Sequence, residues 1–331
     1  MKQATFTRFG QPSRVIECTN VPDLKEPSDW EVCVDIMVTT VNPSDVSVLR
    51  GQYGSLPSSF PATPGLEGAG RVVSVGKSVK DFSAGDRVIL ISNNNWVQRK
   101  NVPATSLIHV PDWLSLEQAA LVKVNAGCAQ HMLNTFANPL SGDHVIINAP
   151  MSAVGQMLIT FAAEKGLKSV CVVRREDAVK ETLEYGADYA VVAGDNLGQT
   201  VSEATGGASI KVAFDAVAGE STAQLADCLD IGGTLVNYGM LSGQSCLVRP
   251  DHTIFRDLHV CGFWLLKELK SLKLRERRGL LEETMQVMEK RDVTNAVYER
   301  FPIEQIGDAV EASESPDRTG KVLILPNGPV D

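Results

Sequence analysis

Two arginines and one short turn are the residues of this sequence most plainly suited to chemistry. The turn reads Asn148-Ala149-Pro150-Met151-Ser152-Ala153-Val154-Gly155, after the apolar run His144-Val145-Ile146-Ile147 and before a helical stretch that Gly166 ends. A pyrophosphate at such a place needs small residues, so that backbone N–H groups at a helix N-terminus can reach its oxygens. Ser152, Ala153 and Gly155, with Val154 between them, meet that need. The strict G-x-G-x-x-G spacing is absent, and an ordinary tight βα turn reads the same way. The next apolar run, Ser169-Val170-Cys171-Val172-Val173, leads into Arg174-Arg175. An NAD-preferring site carries an acid there for the ribose diol. Paired guanidinium groups suit a 2′-phosphate instead, so the cofactor expected is NADPH. Glu176 beside them leaves a solvated charge cluster as the other reading.

A second candidate is Tyr53, which lies between Gly51 and Gly54. A phenol keeps its proton at neutral pH and can donate a hydrogen bond to developing negative charge. A loop tyrosine that merely packs is the alternative. Tyr238-Gly239 closes a strand-like run, on the side of the sheet where open α/β folds bind ligands.

The elements that must hold these residues fall into two groups. Toward the N-terminus, residues 32–38, 70–75 and 86–91 read as strands broken by Pro and Gly, which predicts a compact, mostly β domain. Ser115 stands three residues before Gln118, the spacing of a capping box, and from there strands alternate with helices. Residues 144–149, 169–173, 189–192, 212–215 and 233–238 are apolar strands interleaved with helical stretches, a rhythm that predicts a doubly wound parallel sheet. Lys321–Leu325 is a strand that could return to the first domain.

Bulk properties agree with a two-domain enzyme. The chain has 331 residues, more than one core usually supports. The formal net charge of −9 argues against a nucleic-acid or anionic-membrane surface, though not against a local basic pocket. No apolar run approaches the ~18 residues of a membrane helix. Met1–Phe6 shows neither a signal core nor transit character, so a cytoplasmic protein is expected. The seven cysteines are scattered and never spaced CxxC, which suits a reducing compartment and no structural zinc.

Several segments then converge. Asn42-Pro43-Ser44-Asp45, Gly51-Gln52-Tyr53-Gly54, Pro64-Gly65-Leu66-Glu67-Gly68-Ala69-Gly70 and Ser83-Ala84-Gly85-Asp86-Arg87-Val88 occur in order. Asp215-Ala216-Val217-Ala218-Gly219, Gly232-Gly233-Thr234 and Gly320-Lys321-Val322 follow. Together they resemble the medium-chain dehydrogenase/reductase superfamily nearly end to end. The Asn42 and Tyr53 segments, the Asn148–Gly155 turn and Gly262-Phe263-Trp264 look most like mitochondrial-type trans-2-enoyl thioester reductases, with quinone oxidoreductases next. One segment departs: Val124–His131 lacks the Pro and the Thr-Ala-Tyr/Phe run that the family tends to carry there.

The resemblance implies an α/β fold made of a GroES-like β-rich catalytic domain (1–122 and 264–331) and a Rossmann doubly wound parallel sheet (123–263). It implies a zinc-independent enzyme, since Asn42 and Leu66 stand where zinc alcohol dehydrogenases of this fold place ligands. The implied reaction delivers hydride from NADPH to the β-carbon and a proton to the α-carbon of a 2-enoyl thioester, either enoyl-CoA or enoyl-ACP. The rival is NADPH:quinone or general enone reduction. Tyr53, Asn42 and Trp264 are the catalytic candidates. Asn42, Asp45, Phe263, Trp264 and Lys321 join Ser152, Ala153, Val154, Gly155, Arg174, Arg175 and Tyr238 as cofactor residues. Asp45 could instead be a structural carboxylate at a helix N-terminus, and Phe263 and Trp264 could be core aromatics.

Two partner expectations remain. Lys267, Lys270, Lys273, Arg275, Arg277 and Arg278 form a cationic stretch that could hold a coenzyme A phosphate or an acidic acyl-carrier protein, or be a solvated helix face. Residues 246–261, rich in strand formers, could supply a sheet edge for a homodimer.

Overall fold

The computed structural model describes residues 1–137, 143–316 and 318–330. It divides into two compact units, Met1–Val124 with Thr294–Asp331, and Asn125–Val293.

The first unit is built on antiparallel strands. β1 (Lys2–Phe6) pairs with β2 (Ile16–Asn20) across the short helix α1 (Pro12–Val15). The larger sheet holds β3 (Glu31–Thr40), β4 (Gly68–Val75), β5 (Arg87–Leu90), β6 (Arg99–Pro103), β7 (Leu107–His109), β14 (Val297–Pro302) and β15 (Lys321–Leu325). Its order is β14-β15-β3-β4-β5-β7, with β6 also pairing to β3. Inward residues of β3, namely Val32, Val34 and Ile36, meet Val72, Val88 and Leu90 in one core cluster. The C-terminal strand does return: Leu323 pairs with Thr40 and Ile324 with Thr39. Three helices accompany the sheet, α2 (Pro43–Arg50), α3 (Leu116–Ala119) and α12 (Ile306–Ser313). Ser115 caps α3 by accepting the Gln118 N–H at 3.2 Å, but the capping box is not closed: the Gln118 side chain bonds the Asn295 backbone at 3.0 and 2.8 Å instead.

The second unit is a six-stranded parallel sheet. In chain order its strands are β8 (His144–Asn148), β9 (Lys168–Val173), β10 (Tyr189–Val192), β11 (Ile210–Asp215), β12 (Thr234–Asn237) and β13 (His259–Gly262). The spatial order is β10-β9-β8-β11-β12-β13, the doubly wound Rossmann arrangement, which reverses between β8 and β11. Helices α4 (Gly127–Phe136), α5 (Ala153–Glu164), α6 (Asp177–Tyr185), α7 (Leu197–Thr205), α8 (Glu220–Asp227), α9 (Pro250–Ile254), α10 (Leu265–Ser271) and α11 (Leu274–Arg291) complete it. Central strands such as β8 and β9 are buried nearly throughout, as parallel strands covered on both faces must be.

Two expectations shift. The chain crosses back at Thr294, not at 264. The reason is α11: Leu280, Leu281, Met285 and Met288 form its buried face, and it packs with α4 and α5 of the second unit. Residues 246–261 also hold less strand than their composition suggested. Pro250 opens α9, and only His259–Gly262 joins the sheet. A side-chain network fixes that helix. His252 Nε2 lies 3.0 Å from Asp227 Oδ1, and Arg249 Nη1 donates to Asp227 Oδ2 at 3.0 Å.

Candidate active site

In the second unit, the turn after β8 is shaped by close contact. Ala149 adopts a left-handed φ of 47°, and the chain doubles back before α5. A Cβ at Gly155 would stand 2.4 Å from the Ala149 carbonyl oxygen, so glycine is required there. Ser152 caps α5: its Oγ accepts the Gly155 N–H at 3.1 Å and donates to the Ala149 carbonyl at 2.8 Å. The turn thus presents the N-terminus of a 12-residue helix, with its uncompensated N–H groups and positive dipole end.

Behind the turn, a buried polar network ties together the carboxyl ends of β8, β11 and β12. Asn148 Nδ2 donates to Asp215 Oδ1 at 2.7 Å and to Ser221 Oγ at 2.9 Å, and Asn148 Oδ1 accepts the Ala216 N–H at 2.7 Å. Asp215 also accepts from the Val217 and Ala218 N–H groups and from the Thr222 hydroxyl. A fully buried carboxylate is tolerated only when satisfied in this way. The network bridges the strands at the point where the sheet order reverses, where ligands of such sheets bind.

Tyr238 follows β12. Burial pushes its phenol above the usual range, with Cys128 and Asp215 nearby adding to the rise. Ser152 is its neighbour and counters part of that rise, while its hydroxyl donates to Ala149 and accepts from Gly155. The buried Tyr238 hydroxyl is left without a hydrogen-bond partner. An orphaned buried hydroxyl beside an open helix N-terminus fits a polar cofactor that would satisfy both.

Arg174 and Arg175 leave the end of β9 into solvent. Arg175 Nε lies 3.4 Å from Asp177 Oδ1, with both side chains 70% exposed. Such a pair holds a guanidinium weakly, so it remains available to a phosphate. Phe263 is 6% exposed, with its ring 5.7 Å from His131 and 6.4 Å from Phe136. Its side chain is a core aromatic, and only its backbone could serve a cofactor. Trp264 is half-buried at the start of α10.

In the first unit, the Asn42 segment forms a second buried network. Asn42 precedes α2 and is 2% exposed. Its Nδ2 donates to Thr40 Oγ1 at 2.9 Å and to Glu67 Oε1 at 2.8 Å, while Oδ1 accepts from Lys321 Nζ. Glu67 also accepts the Thr40 hydroxyl at 2.8 Å and the Val124 N–H at 2.8 Å. Asp45 accepts the N–H groups of Asn42 at 2.9 Å and Leu66 at 3.0 Å, joining the start of α2 to the segment before β4. Burial pushes the Asp45 carboxyl up to about 7 against the lowering by the Asn42 amide, and burial lowers Lys321 to about 8.

These contacts redistribute the expected roles. Both Nδ2 hydrogens of Asn42 are engaged, so Asn42 holds the site together rather than donating to a ligand. Lys321 is 5% exposed, and its ammonium meets Asn42 Oδ1 and the Val41 carbonyl. Asp45 has the structural alternative as its geometry. Tyr53 stands half-buried on the loop between α2 and β4. Glu67 and Asp215 escaped the sequence reading as site residues. Each is the one acid within an apolar or glycine-rich run, and that was the available signal.

Comparison with known proteins follows this division. Residues 28–112 match the family described as alcohol dehydrogenase GroES-like domain, and residues 153–280 that described as zinc-binding dehydrogenase. The residues do not fit a zinc. Asn42 is enclosed by Thr40, Glu67 and a lysine ammonium. Among the described residues, no group of three or more His, Cys, Asp or Glu side chains is placed to hold a metal ion. The chain is 31% identical over 323 residues to the mitochondrial enoyl-[acyl-carrier-protein] reductase of Rattus norvegicus, spanning 96% of this chain and 86% of that protein. It is 29% identical over 337 residues to the Homo sapiens protein of the same name, spanning 98% and 88%. Among solved structures, the Etr1p complex with NADP and crotonyl-CoA matches at a TM-score of 0.88 and 25% identity, over 98% of this chain and 99% of that one. The Escherichia coli quinone oxidoreductase complexed with NADPH shares the fold, at a TM-score of 0.85 and 24% identity over 98% and 100%.

Proposed function

Because this chain belongs to the medium-chain dehydrogenase/reductase superfamily, as an oxidoreductase related to the mitochondrial enoyl-[acyl-carrier-protein] reductases, we propose that it reduces the C=C bond of a 2-enoyl thioester with NADPH. One observation carries the reading: the kinship at 31% identity runs along 96% of the chain. Ser152, Gly155 and the N-terminus of α5 would hold the pyrophosphate, Tyr238 would find a partner, and Arg174 and Arg175 would receive the 2′-phosphate. Bound there, NADPH would supply the hydride.

The chain's own task is to manage charge and position. Were hydride delivered to the β-carbon, the C=C electron pair would shift through the α-carbon to the thioester oxygen, which would then need a hydrogen-bond donor. The Tyr53 phenol would donate to that oxygen, and the α-carbon would take a proton from solvent water, so that the saturated thioester and NADP+ are the products. Asn42, held by Glu67 and Lys321, keeps α2, and with it the start of the Tyr53 loop, in place. Trp264 lines the nicotinamide end.

The partners follow from surface chemistry. Lys267, Lys270, Lys273 and Arg275 are exposed on α10, α11 and the link between them, a surface suited to the phosphate of coenzyme A or to an acidic acyl-carrier protein. The free edge of β13 suits a homodimer. Seven free thiols suit a reducing compartment, and we place the protein in the cytoplasm. No helix among the described residues is long and apolar enough to cross a membrane.

The test is kcat/KM for crotonyl thioesters, simple enones and quinones, each with NADPH and with NADH. The thioester with NADPH should lead. A quinone turned over faster than any thioester would replace this reading with the quinone reductase one.

A further inference from the structure

Three phenylalanines outside the networks above meet at the two ends of the Tyr53 loop. Gly51, which ends α2, has a left-handed φ of 74°, and a Cβ there would lie 2.9 Å from Phe9 Cγ. The Phe9 ring therefore rests directly on the residue from which the loop departs. At the other end, Phe60 sets its ring edge-on to both Phe9, at 5.1 Å between centroids, and Phe6, at 5.4 Å. Two residues later the chain is pinned to β1, since Phe6 N donates to the Ala62 carbonyl at 2.9 Å and Ala62 N to the Phe6 carbonyl at 3.0 Å. Phe6 is 1% exposed and belongs to the core, whereas Phe9 and Phe60 are 38% and 41% exposed. A buried ring thus anchors two half-exposed ones, and each of those grips one end of the same loop.

We propose that Phe9 and Phe60 are positioning residues for Tyr53, an aromatic clasp that closes residues 52–59 at both ends and so fixes where the phenol stands. The proposal rests on the assignment of Tyr53 made above. Edge-on aromatic pairs are favourable but modest, and half-exposed ones sit outside the cooperative core. Loosening the clasp should therefore free the loop without unfolding the unit.

Two measurements on the full chain test this. The first is limited chymotrypsin cleavage within the loop, at Tyr53 or Leu56. Phe9→Ala and Phe60→Ala should be cut about tenfold faster or more than wild type at an unchanged Tm, because cleavage follows local opening. The second is turnover of a crotonyl thioester. Phe9→Ala should lower kcat between about five- and a hundredfold, because a small misplacement of a reacting group is costly. NADPH affinity should hold, and Phe9→Tyr, which keeps the ring, should restore kcat. In a Tyr53→Phe background the same Phe9→Ala change should cost little more. Unchanged cleavage overturns the clasp, and an equal loss in both backgrounds overturns its positioning of Tyr53. A Tyr53→Phe enzyme with full turnover but a faster-cut Phe9→Ala loop overturns the role of Tyr53 and the positioning of it, while upholding the clasp as a latch.

Discussion

A single oxygen separates chemistry from packing at Tyr53. Tyr53→Phe keeps the ring in the loop and removes only the donor. If the phenol meets charge as it develops, turnover should fall while NADPH affinity and Tm stay near wild type. Loss of a comparable oxyanion donor costs roughly 10²–10³ in rate, and the lower end is expected where water can substitute. Thioester reduction should suffer more than quinone reduction, which needs no positioned α-carbon proton. Steady-state kinetics on both substrates checks this, and an unchanged thioester kcat would remove Tyr53 from the mechanism. Arg174 and Arg175 invite the parallel experiment. Replacing both with Ala should weaken NADPH binding by about one to three orders of magnitude, since charge-assisted hydrogen bonds are worth ~1.5–3 kcal/mol each. NADH binding should hardly change. Equal losses for both cofactors, measured by titration, would mean that the pair supports the fold rather than the 2′-phosphate. All three residues stand out in the sequence because their signal is local: a strand end for the arginines and flanking glycines for Tyr53.

At the scale of elements the local signal fails. Asn42 and Lys321 lie 279 positions apart, and their contact exists only because β15 pairs with β3. Asn148 and Asp215 meet only because β8 and β11 are neighbours where the sheet order reverses. Strand periodicity and caps are written in short windows, whereas the partner of a buried acid is not. The pH response of the first network is a direct test of it. The Asp45 carboxyl rises from 3.8 to about 7, chiefly through burial. Between those values the folded chain keeps a proton that the unfolded chain releases. The contribution to stability is full below about pH 3.8 and lost as pH rises through about 7. Lys321 works in the opposite window. Its ammonium falls from 10.5 to about 8, so its contribution is present above pH 10.5 and lost as pH falls through about 8. Asp45→Asn removes the first dependence and leaves one of two N–H donors facing an amide, a loss of about 1–3 kcal/mol. The deficit of Asp45→Asn relative to wild type should shrink from pH 5 to pH 7. A deficit in Tm that is constant with pH would show that Asp45 does not titrate in this range.

At the scale of the whole molecule, exposed apolar side chains stand on, and in the chain just before, the last strand of the second sheet. Among the described residues β13 ends the six-stranded sheet, with β12 on one side only. Val260 within it is 38% exposed, and Ile254 and Phe255, just before it in the chain, are 69% and 76% exposed. A strand with free N–H and C=O groups and uncovered apolar side chains is a template for pairing. Pairing with a second copy of itself across a two-fold axis closes the interface, because the same patch serves both subunits. The sheet edge was legible from the strand formers of residues 246–261. Its extent was not, because Pro250 and the Asp227–His252 contact turn the middle of that stretch into a helix. Sedimentation at micromolar concentration should therefore find a dimer. Val260→Lys places a charge on the edge strand of each copy and should shift the population to monomer. Val260 is not a core residue of its own unit, so the variant should keep its Tm as a monomer except for whatever part of the wild-type value depends on protein concentration. A wild-type chain that sediments as a monomer would refute the pairing outright. A Val260→Lys chain that remains dimeric would move the interface away from β13.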